Sequence, residues 1–221
     1  MTSNNENIQP LKIKNCAMLN IATGIRAQNL KELKDKLTNI HSESIHYHFW
    51  AKKLRPGFEE PEYNNDFATW AYKNLHNNKL AERLSLINPG MFSNIEDLRS
   101  KIVEVANLSL EESKTSINAK EGEKFQFTRS EVVLFDTKFA ISNPEELVDV
   151  LPNLPLGCIY FHFIYSKNDT GDISSWLSQF DSKHNNLTDQ ISKLDPYFFT
   201  LSEIRVKASH IFTDYFKGVA K

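Results

Sequence analysis

The strongest constraint on this chain is that its amino-acid order is written twice. Leu30-Lys31-Glu32-Leu33 stands against Pro144-Glu145-Glu146-Leu147, an offset of 114 positions (147 − 33). At that offset Leu37 falls on Leu151 and Ile40 on Leu154. SIHYHFW (Ser44 to Trp50) falls on CIYFHFI (Cys158 to Ile164), so His48 meets His162. Upstream, AMLNIAT (Ala17 to Thr23) falls on EVVLFDT (Glu131 to Thr137). Downstream, a shorter loop lowers the offset to 106 (176 − 70), and DFATW (Asp66 to Trp70) lies on DISSW (Asp172 to Trp176). A one-residue slip then aligns LAERLSLINP with LTDQISKLDP, and Met91-Phe92 with Phe198-Phe199. A long unit that occurs only twice reads as a fused pair, not a solenoid.

Each unit reads the same way. AMLNIA is a short apolar strand. NLKELKDKLTNI carries Leu30, Leu33, Leu37 and Ile40 at helical spacing. Its counterpart opens Ser142-Asn143-Pro144-Glu145, a serine cap with Glu three places on. SIHYHFW, rich in aromatics, is read as a second strand. NDFATWAYKNL, LAERLSLI and SNIEDLRSKIVEVANL are three helices, with Asn or Asp at the first start and Ser93 or Asn94 at the last. A helix between two strands predicts a right-handed parallel crossover. The expectation is an α/β fold: a tandem β-α-β-α-α-α unit, pseudo-twofold and compact, with a central sheet and outer helices. Residues 1–14 are expected to be a flexible tail, 15–108 unit one, 109–130 a connecting segment and 131–218 unit two. FQF (Phe125 to Phe127) is a candidate extra strand.

Composition narrows the function. Of 221 residues 40% are apolar, including fifteen Phe, enough for a sizeable core. The net charge of -2 and pI near 6.4 give no basic field for nucleic acid. The start, MTSNNENIQPLK, reads as neither a signal peptide nor an anchor, and no apolar stretch reaches the ~20 residues of a membrane span. Cys16 and Cys158 lie in apolar surroundings without metal-ligand spacing, which predicts reduced thiols and a cytoplasmic compartment. Phosphate-loop, dinucleotide, nucleophile-elbow and zinc-protease motifs are all missing, so neither a cofactor nor a catalytic residue is expected.

Four features could carry chemistry. On a strand His46 and His48 would share a face, and His162 from the other half could complete three nitrogen ligands for a metal. Against this, Tyr160 replaces His46 in the second copy, which favours buried structural roles for His48 and His162. Trp70 and Trp176 are equivalent and read as packing; Trp50, which meets Ile164, and Tyr63 are the candidates for recognition. GIRAQNL (Gly24 to Leu30) joins a strand to a helix, where free amides and Arg26 could hold an anion, or Arg26 could be a solvated charge. The loop LRPGFEEPEYNND (Leu54 to Asp66) is long and acidic, a natural place for recognition or merely a solvated connection. Asp66 and Asp172 are read as helix caps.

Taken in order, RAQNLKEL, SIHYHFW, PEYNNDFATWA, LAERLSLINP, FDTKFAISNPEEL, CIYFHFI and DPYFF resemble an uncharacterised bacterial family, domain of unknown function 5752. The resemblance runs from Cys16 to about Phe216, and the paired "I-aromatic-x-H-F" segments are its most specific part. It implies no established activity and no catalytic residues, and it associates some relatives with genes for sugar-transferring enzymes.

The reading that follows is a non-enzymatic binding or adaptor protein. Its expected partner is another protein or a small anionic or sugar ligand, with no nucleic acid and no membrane. Arg26, Trp50, Tyr63, His48 and His162 are its candidate contacts. A ligand-binding or enzymatic accessory of carbohydrate metabolism, using a cleft between the halves, is the alternative. A metal protein built on His46, His48 and His162 is the third.

Overall fold

The computed structural model describes residues 8–54, 62–113, 117–166 and 171–218. Its fold is mixed α/β. The strands among these residues are β1 (Leu11–Ala27) and β2 (Phe125–Ile141), paired antiparallel in a two-stranded sheet. Between them run α1 (Leu30–Leu37), α2 (Ser42–Leu54), α3 (Asp66–Lys73), α4 (Asn78–Ser85) and α5 (Ile95–Glu112). After β2 come α6 (Leu147–Val150), α7 (Leu156–Tyr160), α8 (Ile173–Leu177), α9 (Asn185–Ser192) and α10 (Leu201–Thr213). A π-helical turn, Phe161–Tyr165, continues α7.

The chain forms two compact units, and each strand changes unit partway along. Residues 18–131 form the central unit; residues 1–17 and 132–221 form the terminal unit. A two-stranded ribbon is marginal in water by itself, so each unit must cover its share with helices. In the central unit Phe125 stacks on Phe67 with centroids 5.1 Å apart and meets Trp70 at 5.5 Å. In the terminal unit Leu11 and Ile13 are buried with Trp176 and Tyr197 in that unit's core.

Helix starts follow from short polar side chains. Asn29, Asn65, Asn77 and Asn94 each accept a backbone N–H from the first turn of α1, α3, α4 and α5. Asn143, not Ser142, caps the turn at Pro144, in a capping box with Glu146. Thr200 forms the same kind of box with Glu203 at α10.

The principal correction concerns the aromatic segments. SIHYHFW lies within α2, and CIYFHFI within α7 and its π turn. The parallel crossover is therefore absent, and the sheet is antiparallel. The physical reason is burial on most sides. Ser44, Ile45, Tyr47, His48, Phe49 and Trp50 are all buried, and a helix enclosed that way shows no 3.6-residue polarity to read. Boundaries move too. Leu11–Lys14, expected in the tail, open β1, and Phe125–Ser130, expected in the connection, open β2. GIRAQNL is mostly strand, since β1 runs to Ala27 through Gly24, whose φ of 76° suits glycine.

At Gly157 the terminal unit leaves no room for a side chain. A Cβ there would overlap the Asn15 side-chain oxygen and stand 2.5 Å from the Cys16 carbonyl oxygen, which is backbone and cannot step aside. Replacing Gly157 by Ala should therefore cost about 1–3 kcal/mol or more. Gly24→Ala meets open space and should cost only about 1 kcal/mol for its φ. Urea unfolding midpoints of the two variants check this; equal losses would refute the packing argument.

Candidate functional site

The sequence points to His48, and its surroundings are built from three elements of the central unit. On α2, Ser44 and His48 are one turn apart and face the start of β2. The Ser44 hydroxyl donates to the Thr128 carbonyl at 2.7 Å, and the Thr128 N–H donates to His48 Nε2 at 3.2 Å. Nε2 is thus the acceptor, so Nδ1 carries the hydrogen and donates to Asp66 Oδ2 at 2.9 Å. Both backbone groups of one strand residue are tied to one helix.

In the terminal unit His162 does the corresponding work. The Lys14 N–H donates to His162 Nε2 at 3.0 Å, and His162 Nδ1 donates to the Gly171 carbonyl. Lys14 and Thr128 are 114 positions apart, as are His48 and His162. In other contacts the backbone acceptors are again 114 positions apart. Trp70 Nε1 donates to the Glu123 carbonyl at 2.8 Å and Trp176 Nε1 to the Gln9 carbonyl at 3.0 Å. The Thr23 hydroxyl donates to the Phe127 carbonyl, and the Thr137 hydroxyl to the Ile13 carbonyl. Outside that register, Arg99 reaches the carbonyl of Leu37, the last residue of α1, and Arg205 the carbonyl of Leu154, after α6.

An Asp–His pair with a serine one turn away has the composition of a hydrolytic triad. The geometry is otherwise. His48 Nε2, the nitrogen a general base would use, holds a backbone N–H, and Ser44 donates to a carbonyl rather than to the imidazole. These side chains join helix to strand.

The metal set does not form as expected. On a helix, residues two apart point about 200° apart, so His46 and His48 do not share a face. His46 turns toward Trp50, with rings 6.4 Å apart. Among the described residues no three His, Cys, Asp or Glu side chains gather as metal ligands.

The remaining candidates separate. Trp50 is buried, so it offers no recognition surface. Tyr63 is half-buried against Tyr72, ring centroids 5.4 Å apart. Arg26 is exposed on β1, not at a helix start. The Glu121 carboxyl is held down by Lys124 first and Arg26 last. Residues 55–61 of the expected recognition loop lie outside the described residues. Asp66 is not the cap of α3, which is Asn65; it is the partner of His48. Asp172 does cap α8, accepting the Ser174 N–H.

Sequence reasoning missed two features. The arginine pair Arg99 and Arg205 stands 106 positions apart, one short of the offset of 107 that the alignment carries from Leu80 onward. The other is a run of water-facing apolar side chains on β2 in the terminal unit: Val133, Leu134, Phe135 and Phe139, with Phe135 half exposed at 50%. By strand alternation Val133, Phe135 and Phe139 share a face. In the central unit Leu19 and Ile25 of β1 are also exposed. No helix among the described residues is long and apolar enough to cross a membrane.

His162 makes the scaffold sensitive to acid. Burial pushes its imidazole down to about 4, only partly countered by the Gly171 carbonyl, and burial alone does the same to His46, whose Nδ1 is sealed from water. Unfolded, each would titrate near 6.5 and bind the proton that the folded state refuses. Stability from these groups is complete above pH 6.5 and is lost as pH falls toward 4, at about 1 kcal/mol per pH unit per group. His162→Gln should cost stability at pH 7 yet shed about one proton's worth of acid sensitivity across that window. Urea unfolding at pH 7 and pH 4.5 checks this, and an unchanged pH slope would contradict it.

The chain matches the profile of a family of unknown function, DUF5752, over residues 8–213. It is similar to the solved structure of OrfY from Thermoproteus tenax, with a TM-score of 0.80 and 22% identity over 94% of this chain and 96% of that one. Identity that low carries the fold alone. A search of curated proteins finds no match.

Proposed function

The chain belongs to the DUF5752 family, and from that premise we propose that it is a non-enzymatic binding protein whose contact surface is the apolar part of its strands. The observation that carries this is the run Val133, Leu134, Phe135 and Phe139. A strand with large apolar side chains in water is an aggregation hazard, and a chain that keeps one has a use for it. The scaffold side chains favour the same reading. His48, His162, Trp70, Trp176, Arg99 and Arg205 each spend a polar atom on a backbone group. Groups so engaged hold a shape and do not turn over a substrate.

We also infer that the chain is a fused pair of one ancestral unit. Support comes from the register of 114 that relates β1 to β2 end to end, and from the hydrogen bonds that recur in it. In β1 the first, third, sixth and last residues are buried (Leu11, Ile13, Cys16, Ala27). In β2 the same places are (Phe125, Phe127, Ser130, Ile141).

Affinity capture from native lysate tests the binding reading, with wild type beside a Phe135→Lys/Phe139→Lys variant of equal melting temperature. The expected result is a defined protein retained by wild type and lost by the variant. Retention by both, or by neither, would reject this surface. If a sugar phosphate or nucleotide sugar instead raised the melting temperature of both chains, the carbohydrate-linked alternative would replace it.

A further inference from the structure

The chain has two cysteines, Cys16 and Cys158, and both fall in the terminal unit. They also sit on elements that touch. Cys16 is on β1 and Cys158 in the first turn of α7. Cys16 Sγ lies 3.2 Å from the carbonyl oxygen of Gly157, the residue bonded to Cys158. Glycine at 157 is what permits this, because a Cβ there would stand 2.5 Å from the Cys16 carbonyl oxygen and 3.3 Å from its nitrogen. Both thiols are buried and unbridged. A charge on the Cys158 sulfur would reach Cys16.

The register between the halves sharpens the point. Position 16 of β1 corresponds to Ser130 of β2, and position 158 to Ser44 of α2, each 114 positions away. The central unit therefore carries two serines at the strand and helix positions where the terminal unit carries two cysteines. Both thiols of the protein are at one strand–helix contact and none at its counterpart. Packing alone does not ask for that, since serine serves in the other unit.

We propose that Cys16 and Cys158 are a redox pair that closes into a reversible intramolecular disulfide, clipping the N-terminal part of β1 to the first turn of α7. The oxidant class is a small disulfide such as glutathione disulfide. One cysteine thiolate attacks it, forming a mixed disulfide and expelling one glutathione thiolate. The second cysteine thiolate then attacks the protein sulfur of that mixed bond and expels the other glutathione. The two cysteines lose two protons and two electrons, and one glutathione disulfide takes them up to become two thiols. Burial pushes the Cys16 thiol up to about 11, so closure in the folded chain is slow and proceeds when the first turn of α7 opens. Once closed, the bond constrains a long loop and resists that opening.

The test uses the full reduced chain, incubated with glutathione disulfide at neutral pH with and without sub-denaturing urea, then alkylated and weighed. The expected product is a monomer lighter by two hydrogens, with no alkylation and a peptide joining Cys16 to Cys158. Its melting temperature should rise by roughly 5–10 °C and return with dithiothreitol. A Cys158→Ser chain should stop at the glutathione adduct. Cys16→Ser/Cys158→Ser, which copies the central unit, should fold alike and ignore the oxidant. Two alkylated thiols, a lasting glutathione adduct on wild type even in urea, or a cysteine-linked dimer would each overturn the proposal.

Discussion

The rest of the structure depends on how the outward peptide groups of two long strands are satisfied. A two-stranded ribbon pairs each strand on one side only, and every peptide group on the other side needs water or a substitute. Near the start of each strand, where helices cover the ribbon, water is excluded and an imidazole is the substitute. His48 takes the Thr128 N–H, and His162 takes the Lys14 N–H. An unmet buried N–H would cost about 1–3 kcal/mol, comparable to losing a methyl-rich core contact. The histidine is buried because the strand end is, and the strand end can be buried because the histidine is there. This makes "I-aromatic-x-H-F" a structural signature: the aromatic and aliphatic positions fill the core, and the histidine pays for the backbone they cover.

That logic explains what could be read from the sequence and what could not. Caps were legible in part: Asn65 and Asn94 stand among the candidates because such side chains act within three residues of themselves, whereas Asn143, not Ser142, holds the turn at Pro144. Trp70 and Trp176 were legible as packing because they recur beside apolar neighbours, and each indeed turns its indole N–H to a backbone carbonyl. The identity of α2 and α7 was hidden. Their residues are β-prone and buried on most sides, so neither propensity nor period gives a helix away. The price was a false crossover and a false metal face, since His46 and His48 share a face only on a strand. Asp66 was mistaken for a cap because Asn65 beside it has the same chemistry and holds the position. What separates them is long-range contact with His48, which no window of sequence contains.

The two units differ where the shared solution allows it. Both histidines accept a strand N–H at Nε2 and give Nδ1–H away, yet the second acceptor is a carboxylate in one unit and a carbonyl in the other. With the shorter loop, Asp172 is used as the cap of α8, and the carbonyl of Gly171 comes to the imidazole instead. The helix adapts as well. His162 sits in a π turn, which fits an extra residue into the turn and re-aims the side chains that follow, whereas the same stretch in the central unit is regular α-helix.

The acceptors also differ in charge. A carboxylate adds a full charge beside the imidazole, while a carbonyl adds only a dipole. At His162 the carbonyl's pull is smaller than the effect of burial, and the ring stays neutral until about pH 4. The terminal unit gathers His162, both cysteines and the apolar run of β2, while His46, held down as far by burial, lies in the central unit. The central unit solves the same folding problem with Asp66, Ser44 and Ser130. The exposed Phe135 and Phe139 lie in the same unit as both cysteines.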